Sequence, residues 1–381
     1  MTTAAHTGEA PLRVLHVSTE TGWRGGEQQV KLITDGLLAR GHAVRVLSPP
    51  GARLLEDRQA VGAGIPLKVR LGEWDVRAWR QIESAAREMD AQLIHAQTSH
   101  AHSLAIHAAS KLSIPLVVSR RVDFPVGINV FSRRKYLHPA VHYVAISEAI
   151  RDVLLASGVN ADRVQVVHSG VNPNRYPKRG ATRDEELARH WGVPPGVPLI
   201  MNAAALTDHK DQATLLRAAA IMKNAGKDFR LIIAGTGELE AQLKALANDL
   251  ALQDRVTFAG YIDLATLYPA ADLFVMSSHL EGLCTSILDA MAVGVPVVAT
   301  RTGGIPEIVR HEENGLLATP RQPEALAAAM TDLLDNAATA LQYQAAARKT
   351  VESGFTNERM VEGAIRAYRK ILAGLNGNAG A

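Results

Sequence analysis

Residues 272–300 hold two strand-like runs, Asp272-Leu273-Phe274-Val275-Met276 and Val295-Pro296-Val297-Val298-Ala299-Thr300, apolar throughout except at the ends Asp272 and Thr300, on either side of a helix-like segment. Apolar runs of this length without polar alternation mark strands buried on both faces, and such strands form parallel sheets covered by helices. The pattern predicts a strand, turn, helix and strand of a doubly wound α/β sheet. Its turn lies at the carboxyl edge of the strands, where open α/β sheets bind ligands. The turn and helix start read Ser277-Ser278-His279-Leu280-Glu281-Gly282-Leu283-Cys284-Thr285. Unpaired N–H groups from about Leu283 to Thr285, reinforced by the helix dipole, suit an anionic or hydroxyl-rich ligand. Glu281 falls just outside this helix and Asp289 lies within it about two turns further on, so the two acids can hold different parts of one elongated ligand. An ordinary turn with acids near a helix start is the alternative.

Other strand-like runs follow the same α/β rhythm. Residues 12–18, 43–47, 93–96, 115–119 and 141–146 alternate with helix-like stretches in the first half, and residues 198–202 and 230–234 begin strands in the second. At 381 residues and 47% apolar content, the chain can bury two or three domain cores. Pro173, Pro177, Gly180 and the charged residues 183–186 mark a linker, which puts the domains at 1–177 and 178–357, with a terminal helix in 358–381 and a frayed tail from Gly374. The excess of 41 basic over 38 acidic residues is too small to imply nucleic-acid binding. A single cysteine, Cys284, excludes an internal disulfide framework and fits a reducing compartment. No apolar run reaches membrane-spanning length and residues 1–10 lack a signal-peptide core, so the expectation is a cytoplasmic protein, soluble or peripheral on the inner membrane face.

Between the first strand and helix lies Thr21-Gly22-Trp23-Arg24-Gly25-Gly26, where Gly25 and Gly26 permit close backbone approach to a ligand. A flexible loop explains the same residues equally well. His95, His100 and His102 cluster after a strand, but without a cysteine or carboxylate partner they read as solvent or acceptor-site histidines rather than metal ligands. Arg120, Arg121, Arg133, Arg134 and Lys135, interleaved with Phe124, Val126, Ile128 and Tyr136, suit an anionic membrane surface or an anionic acceptor; a solvated face is the bland alternative. Gly235-Thr236-Gly237 follows a strand, but Glu240 stands where a dinucleotide fingerprint needs its third glycine, so NAD does not follow.

The stretch 277–292 resembles the Glu-x7-Glu signature of the retaining GT-B glycosyltransferases of family GT4, with Asp289 in place of the second Glu. Gly294-Val295-Pro296-Val297-Val298-Ala299 and Thr302-Gly303-Gly304-Ile305-Pro306-Glu307 also match that family, and the likeness extends over roughly residues 12–372. The resemblance implies a GT-B architecture of two Rossmann-like doubly wound domains facing a central cleft, the first binding acceptor and the second the donor. It implies retaining transfer of a sugar from a nucleoside diphosphate sugar to a hydroxyl of a glycan or lipid-linked acceptor, in synthesis of cell-surface polysaccharide, lipopolysaccharide or glycolipid. It assigns the catalytic positions to Glu281, Lys210 and Arg121, the last standing where many relatives carry a histidine. Donor contacts would come from Gly25, Gly26, Lys210, Gly235, Tyr261, Ile262, Glu281, Gly282, Leu283, Cys284, Thr285 and Asp289. Ala205 stands at the apparent position of a diphosphate-binding Arg, leaving Arg24, His209 or Arg301 to compensate. The chain contains no Asp-x-Asp triplet, so no metal and no resident cofactor are expected. A sugar-nucleotide epimerase or phosphorylase of the same fold, or a catalytically silent nucleotide-sugar binder, stays open.

Overall fold

The structure is a computed structural model that describes residues 10–124, 130–180 and 183–378. The chain divides into two compact units, one formed by Met1–Gly170 with Asn357–Ala381 and the other by Val171–Thr356.

The first unit runs β1 (Arg13–Val17), α1 (Gly25–Leu38), β2 (Ala43–Ser48), α2 (Arg53–Ala60), β3 (Gly64–Pro66), α3 (Val76–Glu88), β4 (Leu93–Ala96), α4 (Ser99–Leu112), β5 (Leu116–Arg120), α5 (Val130–Tyr136), β6 (Val141–Ala145), α6 (Glu148–Ala156) and β7 (Val164–Val166). Its strands form a parallel sheet in the order β3-β2-β1-β4-β5-β6-β7. The central strand β4 is buried along its whole length, as its apolar run requires. Helices begin where short polar side chains replace missing intrahelical acceptors: Thr98 accepts from the Ala101 N–H before α4, and Ser147 from that of Ile150 before α6.

The second unit runs α7 (Glu185–His190), β8 (Leu199–Ala203), α8 (Gln212–Asn224), β9 (Arg230–Ala234), α9 (Glu240–Asp249), β10 (Val256–Gly260), α10 (Leu267–Ala270), β11 (Leu273–Met276), α11 (Thr285–Val293), β12 (Val297–Thr300), α12 (Ile305–Ile308), β13 (Leu316–Ala318), α13 (Pro323–Asp335) and α14 (Ala337–Gly354). The sheet order is β10-β9-β8-β11-β12-β13, again parallel, with β8 and β11 buried throughout. In both sheets the order reverses beside the first strand of the unit, the arrangement that opens a crevice at the carboxyl edge.

The terminal helix α15 (Asn357–Asn378) belongs to the first unit. Met360, Val361, Ala364, Tyr368 and Ile371 join a core with Val14, Leu37, Val117 and Val144. A Cβ on Gly36 of α1 would lie 2.3 Å from Val361, so glycine there lets the two helices touch. The helix continues past Gly374, where the sequence suggested fraying. The passage from first to second unit falls at 170/171 rather than 177/178. The cause is local pairing: Val171 bridges Thr356 and its N–H donates to the Phe355 carbonyl at 2.9 Å, tying it to the second unit. The short strands β3 and β13, three residues each, carry no sequence pattern that separates them from loops.

Candidate functional site

In the second unit, β8 leads through Ala204, Ala205 and Leu206 into a single 3-10 turn, Asp208–Lys210, that precedes α8. Two glycines hold this loop. A Cβ on Gly235, whose φ is +143, would lie 1.9 Å from the Ala204 carbonyl oxygen, and one on Gly237 would lie 2.2 Å from that of Leu206. The β9 exit is thereby pressed against the loop, with the Leu206 N–H donating to Thr236 at 3.0 Å. The glycine turn that looked like part of a cofactor fingerprint therefore shapes the approach to Lys210.

The second loop, after β11, meets the first. The His279 N–H donates to the His209 carbonyl at 3.0 Å, and Ser277 Oγ donates to the Lys210 carbonyl at 2.9 Å. Lys210 Nζ donates to Glu281 Oε2, forming an ion pair whose side chains are only 16% and 12% exposed. The Gly282 N–H lies 3.2 Å from Glu281 Oε1, and Ser278 Oγ lies 3.4 Å from Oε2. A third loop, after β12, closes on the Glu281 backbone: Gly304 donates its N–H to the Glu281 carbonyl at 3.2 Å, and a Cβ on Gly303, φ +49, would sit 1.7 Å from that oxygen. Thr302 Oγ1 donates to the His279 carbonyl at 2.8 Å. Three loops of one carboxyl edge converge on Glu281.

Leu283 and Cys284 are buried beside it. Cys284 caps α11 with φ +75, a left-handed conformation costly for a residue with a side chain. Burial, with Glu281 nearby, pushes its thiol up to about 11, so it is a thiol and not a nucleophilic thiolate at neutral pH.

Asp289, about one turn along α11, is 7% exposed. Arg175 lies 3.6 Å from Oδ2, while Oδ1 has no hydrogen-bond partner among the described residues. Burial pushes the carboxyl up to about 7, and the half-exposed Arg175 offsets this only in part. A folded-state value above the unfolded one means that this group favours folding fully only below about pH 4. That contribution is lost as pH rises to about 7. Asp289→Asn, which keeps the shape without the charge, is therefore expected to gain on wild type between pH 5 and pH 8 by on the order of 2 kcal/mol. Thermal melts of the apo proteins at the two values measure this; an unchanged gap contradicts it.

Tyr261 is 68% exposed after β10 and does not pack in the core; Ile262 beside it is half-buried. Arg301 is exposed at the end of β12.

In the first unit the carboxyl edge gathers a polar chain. Arg121 donates through Nη1 to the Gln97 carbonyl at 2.9 Å and through Nη2 to Gln97 Oε1 at 2.8 Å. Because Oε1 also accepts from Ser119 Oγ, the Gln97 amide nitrogen is the donor to His16 Nδ1, 2.7 Å away. His16 is fully buried and burial beside Arg121 pulls it down to about 3, so it is neutral, with its proton on an Nε2 that has no partner among the described residues. Burial lowers Arg121 to about 10, which leaves it charged at neutral pH. Gly25 and Gly26 open α1 nearby, and a Cβ on Gly26 would stand 4.0 Å from Arg121 Nη1. Two of the three histidines are not solvent-facing: His95 is 1% and His102 0% exposed, because β4 is central and α4 turns His102 inward, while His100 is half-buried. His95 bridges Tyr368 Oη at 2.7 Å and Ser119 Oγ at 2.9 Å. No cluster of three or more His, Cys, Asp or Glu suited to a metal occurs among the described residues. Of the basic region, Arg133 and Arg134 are exposed, whereas Arg120 is 7% exposed and donates to Tyr136 Oη at 3.2 Å; Val126 and Ile128 lie outside the described residues.

The sequence named Lys210, Glu281 and Asp289 but missed Ser278, Arg175, Gln97 and His16. Gly303 was visible in Thr302-Gly303-Gly304, yet its contact with Glu281 was not.

Comparison with known proteins bears on both units. Residues 183–350 match the family described as glycosyl transferases group 1, and residues 23–175 match glycosyltransferase family 4. Among curated relatives, the amylovoran biosynthesis glycosyltransferase AmsK of Erwinia amylovora is 31% identical over 65% of this chain and 59% of its own length. The 2-deoxystreptamine glucosyltransferase of Streptomyces kanamyceticus is 28% identical over 71% of each chain. The match to the first two curated relatives spans 59% and 48% of their lengths. Among solved structures, a glycosyltransferase of Rickettsia africae superimposes with a TM-score of 0.81 at 21% identity, covering 96% of this chain and 99% of that one. Anabaena Alr3699/HepE, solved with UDP and glucose, gives 0.81 at 20% identity over 93% and 98%. Two family matches on successive parts of the chain, on a fold shared with these structures, make it a member of the GT4-type glycosyltransferases of GT-B fold.

Proposed function

We propose that the protein transfers a sugar from a nucleoside diphosphate sugar to a hydroxyl of a glycan or lipid-linked acceptor, with retention of anomeric configuration and without a metal. The observation that carries this reading is the Lys210–Glu281 pair, mostly withdrawn from water and set before the start of α11. A lysine held by a carboxylate in this way is a charge waiting for an anion. When the diphosphate arrives, Lys210 turns to it and neutralises the leaving group, and Glu281 is freed to accept hydrogen bonds from sugar hydroxyls. The backbone of Gly282, Leu283, Cys284 and Thr285 lines sugar and phosphate. Asp289 takes the nucleotide ribose through its unpartnered Oδ1, and Tyr261 with Ile262 borders the base. In the first unit, Arg121, held by Gln97 beside Gly25 and Gly26, binds an anionic group of donor or acceptor. Most of the rate gain then comes from positioning and from fixed charge at the leaving group.

The names of the relatives support a glycosyl reaction; a role in cell-surface polysaccharide, lipopolysaccharide or glycolipid synthesis belongs to the same proposal, and relatives named for amylovoran biosynthesis and for phosphatidylinositol monomannoside mannosyl transfer are in keeping with it. The UDP complexes of a structural neighbour support a nucleotide-sugar donor. The test incubates the protein with a panel of nucleoside diphosphate sugars and of soluble and lipid-linked acceptors, with product anomers read by NMR. The expected result is a single-glycosyl mass gain on an acceptor, with the donor's anomeric configuration and unaffected by EDTA. Donor consumption without acceptor gain overturns the transferase reading; activity lost in EDTA and restored by magnesium overturns metal independence.

A further inference from the structure

The loop between β3 and α3 is rigidly built, yet it presents large apolar side chains to water. Asp75, 2% exposed, accepts four backbone N–H groups, those of Arg70 at 2.6 Å, Leu71 at 3.2 Å, Arg77 at 3.0 Å and Ala78 at 3.2 Å. These bonds hold its carboxyl below the usual range, as expected of a carboxylate that organises a loop. Gly72, φ +59, supplies the tight turn, and Trp79 Nε1 donates to the Glu73 carbonyl at 3.3 Å. At the tip of this frame Leu71 and Trp74 are each 73% exposed, followed by Val76 at 46%. A loop so well anchored has no internal reason to expose them.

The charges around the tip select the partner. Lys68, Arg70, Arg77 and Arg80 are all exposed. Of the acids among them, Asp75 is buried under its four donors, and Glu73 is exposed but paired with Lys135 at 3.6 Å. That ion pair also sets the loop beside α5, whose Arg133 and Arg134 are exposed. The outward surface is therefore apolar at the tip and positive around it. Tryptophan and leucine flanked by Lys and Arg are the side chains that settle at the boundary between headgroups and acyl chains of an anionic bilayer.

We infer that the Leu71–Trp74 loop and the neighbouring basic face of α5 form a membrane-docking surface for anionic phospholipid. The inference goes beyond the transfer reaction and does not depend on it, since binding to lipid requires neither donor nor acceptor. Docking would bring the carboxyl edge of the first sheet, which carries Arg121, to the lipid surface, because β3 and β5 both lead out at that edge.

The test is co-sedimentation with phosphatidylglycerol-containing vesicles and with pure phosphatidylcholine vesicles, at low and high salt. Wild type is expected to partition onto the anionic vesicles at low salt, weakly onto the neutral ones, and to lose most binding at high salt. Leu71→Ser with Trp74→Ser should weaken partition by at least about tenfold while leaving the melting temperature in place, since both side chains are exposed. Arg77→Glu with Arg80→Glu should weaken it at low salt and much less at high salt. A blue shift of tryptophan fluorescence on vesicle addition, lost in Trp74→Phe, reports burial of that ring. Wild type remaining in the supernatant with anionic vesicles at low salt overturns the inference, as does wild-type binding by the Leu71/Trp74 double variant.

Discussion

Lys210→Ala is expected to lower turnover by about 30-fold or more, corresponding to about 2 kcal/mol of lost charge stabilisation at the leaving diphosphate. The same substitution acts on the apo protein in a second way. It takes the Lys210 ammonium away from the Glu281 carboxylate, which is 12% exposed and has the Gly282 N–H and Ser278 Oγ within hydrogen-bonding range. Removing one partner of an ion pair so far from water costs on the order of 2 kcal/mol of stability. Glu281→Gln removes that charge, so the double variant should be more stable than Lys210→Ala alone although it is at least as inactive. A double-mutant cycle on melting temperature and on turnover separates the two effects. Additive stabilities would show that the pair is not coupled, and undiminished turnover in Lys210→Ala would remove its role.

Gly303→Ala is the second large effect. Its Cβ would lie 1.7 Å from the Glu281 carbonyl oxygen, and the position has φ +49, so either Glu281 or the loop after β12 must move. Displacing a substrate-binding group by about 1 Å can cost on the order of 100-fold in rate. Gly22→Ala is the control, since nothing lies within 4 Å of its added carbon. The measurement is turnover together with a thermal melt. Activity close to wild type in Gly303→Ala would mean that the position of Glu281 does not matter to the reaction.

The architecture was legible because buried parallel strands announce themselves as unbroken apolar runs. Residues 272–276 and 295–300 predicted β11, β12 and the turn between them, and Glu281 and Asp289 followed from their distance to the helix start. Contacts between distant residues were not legible. Arg175 meets Asp289 and Lys210 meets Glu281 only through the folding of separate loops onto one edge. The chain from His16 through Gln97 and Ser119 to Arg121 draws on three strand ends, and Tyr368 reaches His95 from the last helix. The burial that raises Asp289 is likewise a property of packing, since its sequence neighbours do not distinguish a buried acid from a solvated one. The Leu71–Trp74 loop escaped notice for the opposite reason: apolar residues next to strands normally read as core, and only the fold exposes them.

The most direct test of the central claim, that Lys210 and Glu281 form a nucleotide-sugar site, is calorimetric titration of wild type and Lys210→Ala with uridine, guanosine and adenosine diphosphates. At least one diphosphate is expected to bind wild type, with an affinity that falls by about 30-fold in Lys210→Ala if the charged contact is desolvated as the pair is now. Failure of all three to bind wild type, or equal affinity in the variant, would contradict it.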